Sequence, residues 1–475
     1  MDLIRGTMTQ ALAALDRGEV SSEELTRALI AQARRVQPQL NAFMQIDEER
    51  ALQAARHADL ERTDARDADG RLPPLHGIAL AHKDMFYRAG RASSGGSKIL
   101  AQQVQTETSP VLERFDQAGS FEFGTLGMAE FAYGVTGHNH HYGDVGNAWN
   151  PDHVSGGSSS GSASSVAACA NFAALGTDTG ASVRIPAACN GIVGIKTTFG
   201  AVSRAAAMPL SQSLDTVGVL TRSVEDCALM YGIMAGLDPA DPPTKQWPFR
   251  DGWSWSARED LRGVRIGVAE NFGHGDCSGE VAAAMQQSLD AFRARGAQIV
   301  AVSMPDPQTL QTASMIVLQA EPAALHREWM ESQPENYSPQ VLARLRTGLG
   351  MTACDYIDAL RKRSPLLQRM RNEVFSQCDV LHAPVLTFPV PTRAETDVGG
   401  GPNMPALVAS FGRFTRPINY LGLPALSMPA GFAAGLPVGL QLIGPRFSEA
   451  ELFGIGAAYQ AERGFVHWHP KIAAQ

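Results

Sequence analysis

The chain opens with helical spacing. In SSEELTRALIAQARRVQPQLNAF the pair Ser21 and Glu24 has capping-box spacing, and apolar residues then recur every three to four positions, which predicts an amphipathic helix. DEERALQAARHADLER predicts a second. ARDADGRLPPLHG breaks the period, and the short apolar run GIALAH predicts a buried strand ending at Lys83-Asp84. Further on, GVRIGVAE, GEVAAAMQQSLDAFRARG and AQIVAVSM alternate strand, helix and strand, a βαβ pattern. The polar, Trp-containing PPTKQWPFRDGWSWSARED separates that unit from a Ser/Gly-rich half, and the stretch from SMIVLQ to ALRKR reads as helical. The longest apolar segment, Tyr420 to Gly444, holds Pro424, Pro429, Pro437 and five glycines, so it predicts core strands and turns rather than a membrane helix. The whole reads as one large α/β unit with a decorated middle.

Composition narrows the class. The 475 residues are 44% apolar and 19% charged, with a net charge of −8, enough chain for a large core and no basic excess to favour nucleic acid. Cys169, Cys189, Cys227, Cys277, Cys354 and Cys378 form no CxxC pair and are expected as buried thiols in a reducing compartment. The first residues lack the apolar core of a signal peptide, so a cytoplasmic location is expected.

The chemistry-bearing segment is VSGGSSSGSASSVAACANFAALGTDTGASVRIPAACNG, Val154 to Gly191. A linker would be followed by polar sequence, yet a small, apolar stretch follows the serines. A phosphate loop needs a lysine where Ser162 stands after Gly161. The GxSxG of a nucleophile elbow is met by Gly157 to Gly161, but no clear strand precedes it. More specific is Ser182, set behind a Gly/Thr turn whose N–H groups from Thr179 through Gly180 and Ala181 to Ser182 could converge on an oxyanion. No histidine lies near Ser182 in sequence to take its proton. Lys83, at the end of an apolar strand, is the candidate base, provided burial lowers its pKa; Asp84 should face away from it.

These pieces occur together. GIALAHKD, GGSSSGSASSVAA, GTDTGASVRIPA, SLDTVGVLTRSVED and NYLGLPALSMPAGFAAGLPVGLQLIG resemble, in order, the motifs of the amidase signature family, from about Ser21 to the C-terminus. The resemblance implies a single α/β/α domain around a mixed, largely parallel twisted sheet. It also implies a Ser–cis-Ser–Lys triad that hydrolyses a carboxamide through an acyl-enzyme. On that pattern Ser182 is the nucleophile, Ser158, after a cis peptide, the proton relay, and Lys83 the base; Ser159, Asp178 and Arg184 support them. No metal and no cofactor are implied. Residues 1–475 are expected as one amidase domain, with N-terminal helices at 21–65 and the signature core at 72–235. A helical substrate-shaping region at 241–378 and a C-terminal core segment at 379–475 complete it.

Three departures stand out. GAS replaces the usual GGS, so the Ala181 methyl should narrow the oxyanion turn; Cys189-Asn190 replaces Phe-Cys; and His82 precedes the lysine where an apolar residue is usual. The cluster His138, His140, His141, Asp144 and His153 lacks metal-ligand spacing and is expected as a polar loop. The expected activity is hydrolysis of an amide, an aryl amide or a carbamate, on a small-molecule substrate without nucleic acid or membrane, in a chain that could form a homodimer. The alternatives are the amidase component of a tRNA-dependent amidotransferase, set second because EFAYGVTG departs from the EFAMGSS of such proteins, and a non-catalytic scaffold.

Overall fold

The computed structural model describes residues 4–67, 70–249 and 252–474. Ser21 accepts from the Glu24 N–H at 3.1 Å and caps a helix over Ser22–Leu40, and the second helix covers Glu48–Asp67. The break after it includes residues 68 and 69, and the Trp-containing interruption includes 250 and 251, which lie outside the described residues. The strands are β1 (Phe43–Ile46), β2 (Ala79–Lys83), β3 (Phe121–Leu126), β4 (Ala173–Asp178), β5 (Val193–Lys196), β6 (Thr216–Thr221), β7 (Arg265–Ala269), β8 (Gln298–Val302), β9 (Val380–Pro384), β10 (Ala425–Ala433) and β11 (Leu436–Ile443). They form a small sheet, β1-β3-β2, and a large one, β4-β6-β5-β10-β11-β9-β7-β8.

The fold is α/β with a mixed sheet, but that sheet is not largely parallel. Only β9-β7-β8 pair in parallel; the other five neighbouring pairs of the large sheet are antiparallel. Two local causes account for this. A two-residue turn at Ala434 and Gly435, with φ of 50° and 77°, joins β10 to β11 and leaves no room for a crossover. A helix over Arg184–Asn190 does carry the chain from β4 to β5, but β6 then inserts between them, antiparallel to both. The βαβ pattern read from β7, the helix Gly279–Ala294 and β8 forms as expected.

The two sheets meet where the chemistry lies. Asn171 donates to Ala81 O of β2 at 2.8 Å, and the Leu175 N–H of β4 donates to His82 Nδ1 at 3.2 Å. The C-terminal ends of β2 and β4, with Lys83 and Asp178, are thereby brought side by side. His82 is packed: it is buried, stacks on Phe115 at 5.7 Å between ring centroids, and burial lowers its pKa to about 4. Among the cysteines the expectation of burial fails twice: Cys277 is half-buried, and Cys354 is exposed in the first turn of the helix Ala353–Arg369. No helix among the described residues is long and apolar enough to cross a membrane.

Candidate active site

The serine run is a helix start packed against backbone on every side. Residues Ser160–Ala167 form a helix with no exposed residue, and its hydroxyls bond carbonyls: Ser162 to Leu175 O at 2.9 Å, Ser164 to Gly146 O at 2.7 Å, Ser165 to Ser162 O at 3.2 Å. Close approach explains the glycines. A Cβ on Gly157 would lie 2.6 Å from Gly134 O, and one on Gly176 would lie 2.7 Å from Ser159 Oγ. The Gly157–Ser158 peptide is cis.

Lys83 ends β2 fully buried. Its Nζ donates to Ser158 Oγ at 2.8 Å and to Thr177 Oγ1 at 2.9 Å. Burial pulls its pKa from 10.5 down to about 7, against the opposing charges of Asp178 and Asp215. Asp84 does turn away, accepting from the Ser94 N–H at 3.0 Å and from Ser94 Oγ at 2.5 Å. Ser182 sits on the turn after β4. Among the described residues its hydroxyl has no hydrogen-bond partner, and its segment is tied to the serine run by Ser159 N–H donating to Ser182 O at 3.2 Å. The hydroxyls of Ser158 and Ser182 are not bonded to each other, so transfer between them needs a small rotation of either side chain.

Asp178 organises that turn. Its carboxylate accepts from the N–H groups of Val183 (3.2 Å) and Arg184 (3.3 Å), from Arg184 Nε and Nη2 (3.0 and 3.1 Å), and from Asn419 Nδ2 (2.9 Å). Burial alone would raise its pKa, but the Arg184 charge and hydrogen bonds hold it below the usual carboxylate range. Arg184 reaches on to Gln441 Oε1 and Thr415 O, so it braces the turn from the side away from Ser182. From Thr179 to Ser182 no residue has positive φ, so Ala181 sits there without strain, and its methyl packs in a small apolar cluster with Val135, Ile185 and Phe411. The expected narrowing of the turn by that methyl therefore finds no backbone cause.

A chamber of about 20 Å³ lies over Ser182, lined by the turn 179–182, Tyr133, Leu210, Leu318, Arg344 and Arg416. It holds roughly one water, so an acyl group needs Leu210 or Leu318 to give way. Beside it a chamber of about 900 Å³ reaches Met85, Thr177 and Asp215, and Leu210 borders both. Thr177, Tyr133, Leu210, Arg344 and Arg416 were not singled out in the sequence. Only Arg416 left a trace there: no charged residue stands between it and Arg446. The histidine cluster serves its loop, with His138 between Asp144 (2.7 Å) and Thr396 (2.9 Å) and His141 against Glu130 (2.7 Å).

With two serines and a buried lysine converging behind a donor-rich turn, comparison with known proteins becomes informative. The Amidase family model matches residues 24–453. The chain belongs to the amidase signature family. It is 36% identical to the GatA-type component of glutamyl-tRNA(Gln) amidotransferase from Roseiflexus sp. (strain RS-1), over 98% of this chain and 97% of that protein. Among solved structures, a crystal structure of an amidase superposes with a TM-score of 0.83 at 31% identity, covering 96% of this chain and 99% of that one. The corresponding glutamyl-tRNA(Gln) amidotransferase component from Thermotoga maritima superposes with a TM-score of 0.78 at 26% identity, covering 97% and 95%. The enzyme is thus an amide-directed C–N hydrolase, not a scaffold.

These relatives overturn the expectation of a small-molecule substrate without nucleic acid, because they carry the name of a tRNA amidotransferase component. A whole-chain charge of −8 had no power to exclude it, since a sum over 475 residues says nothing of a local surface or of a companion protein. They also favour the amidotransferase alternative over a generic amidase. The departure in EFAYGVTG is local: Tyr133 there carries the Arg344 guanidinium 3.7 Å above its ring.

Proposed function

We propose that the chain releases ammonia from the side-chain amide of glutamine, as the amidase component of a tRNA-dependent amidotransferase. Neutral Lys83 takes the Ser158 proton, Ser158 takes that of Ser182, and Ser182 Oγ bonds to the amide carbon. The N–H groups between Thr179 and Ser182 stabilise the oxyanion. The proton returns along the same path to the amide nitrogen, the C–N bond breaks and ammonia leaves. Water then hydrolyses the Ser182 ester. The helices between residues 307 and 369 wall both chambers and shape the substrate's path.

The single observation that supports this most is Lys83: a buried amine 2.8 Å from Ser158 Oγ with a pKa of about 7 is about half neutral at pH 7. The full-length likeness to the glutamyl-tRNA(Gln) amidotransferase components supports the choice of amide. The test is ammonia release from glutamine by the purified chain, alone and with its companion proteins and glutamyl-tRNA(Gln), with Ser182→Ala as the blank. Expected is a Ser182-dependent release that rises in the complex. Turnover of an anilide or aryl carbamate with none of glutamine, in either setting, would sink the amidotransferase reading.

A further inference from the structure

Four buried cations surround the site, and two of them lack an anion. Arg184 is paired with Asp178, and Lys83 can lose its proton. Arg344 and Arg416 have neither remedy. Both are buried, at 7% and 2% exposure, and among the described residues neither forms an ion pair. Arg344 Nη1 donates to Tyr133 O at 2.6 Å, Arg416 Nη2 donates to Val408 O at 3.0 Å, and Arg416 Nε has no partner. The position of Arg416 is fixed from two sides. Its Cγ lies 3.6 Å from where a Cβ on Gly180 would stand, beside the nucleophile turn, and its guanidinium fills the space that a Cβ on Gly412 would need. No Asp or Glu lines this chamber. Two like charges so placed, out of water and without a counter-charge, are costly unless a ligand brings the missing anion.

We infer that the substrate amide carries a carboxylate, which seats between Arg344 and Arg416 in the chamber over Ser182. This deepens the proposed function and rests on Ser182 being the nucleophile. Glutamine meets the requirement with its carboxylate, but its ammonium finds no acidic partner among the chamber residues. A monoamide of a dicarboxylic acid should therefore bind at least as well as glutamine, and a neutral amide of equal length far worse.

The test measures binding apart from turnover. Ser182→Ala protein is titrated calorimetrically with glutaramate, glutamine and valeramide. Glutaramate should bind at least about 100-fold tighter than valeramide, within the range for a buried, hydrogen-bonded charge pair. In the Ser182→Ala/Arg416→Met double variant that ratio should fall toward one, and in Ser182→Ala/Arg416→Lys part of it should return. Gly412→Ala on the Ser182→Ala background, which displaces the guanidinium while keeping its charge, should lower the ratio as well. Equal binding of glutaramate and valeramide, or a loss in the Arg416→Met variant shared equally by both, would overturn the inference. Failure of the proposed function looks different: tight, Arg416-dependent binding of glutaramate with no wild-type turnover of glutamine.

Discussion

If Lys83 is the base, the acidic limb of kcat/KM reports its pKa and can be moved by one designed charge. At a pKa of about 7, half of Lys83 is neutral at pH 7, against roughly one molecule in 3,000 at the ordinary 10.5. The rate should therefore fall about tenfold per unit below pH 7. Thr177 offers the lever, because its Oγ1 accepts from Lys83 Nζ at 2.9 Å. Thr177→Asp puts a carboxylate oxygen near that point. At about 4 Å and an effective dielectric of about 20 the attraction is about 4 kcal/mol, an upper bound of about 3 pKa units, and measured pairs span about 1–3. Taking about 2 units, the limb moves from about 7 to about 9. At pH 7 the neutral fraction drops from about one half to about 1%, a roughly 50-fold loss, while at pH 9.5 the variant should come within about twofold of wild type. The assay is initial-rate ammonia release from pH 5.5 to 10, with thermal melts confirming that the variant is folded. A limb that stays near 7 in Thr177→Asp would refute Lys83 as the titrating base.

The same burial makes a stability prediction. Folded Lys83 has its pKa depressed, so between pH 7 and 10.5 the unfolded chain holds a proton that the folded one does not, and stability rises with pH across that window. Lys83→Met removes this penalty of up to about 5 kcal/mol and loses two hydrogen bonds of about 1 kcal/mol each, so at pH 7 the inactive variant should resist urea better than wild type. A less stable variant would mean that Lys83 is held charged. Asp178→Ala leaves Arg184 buried without its partner and should cost about 3–5 kcal/mol in urea unfolding, with loss of activity. Leu210→Ala should join the two chambers and raise kcat/KM for bulkier amides relative to small ones; an unchanged preference would place the substrate's path elsewhere.

How far the sequence could be read depends on how local each signal is. The Ser21 cap, the strand ending at Lys83 and the helix between β7 and β8 are written in runs of neighbouring residues, and they form as expected. Ser158 and Ser182 stood out because serines and glycines at fixed offsets have few other uses, and the structure shows why: a Cβ at Gly157 or Gly176 would collide with backbone or with Ser159. Strand direction in the large sheet was not readable. β4, a short helix and β5 look like a parallel unit in sequence, and only the later β6, sliding between them, makes both pairings antiparallel. Thr177 touches Lys83 across 94 residues, and Tyr133 meets Arg344 across 211, separations that no motif spans.

Charge carries the argument one step past the motifs. A buried cation has three ways to exist: it finds an anion, it gives up its proton, or it waits for an anion to arrive. Arg184 takes the first with Asp178 and becomes scaffolding. Lys83 takes the second, which is what equips it as a base. A guanidinium cannot take the second: burial and the neighbouring Arg344 lower Arg416 only to about 10, and it stays charged at pH 7. With no carboxylate beside it and Gly412 leaving room for its head, Arg416 is left with the third. In sequence all of these side chains are simply basic residues, and the difference in what they do comes from which acid the fold has, or has not, put beside each one.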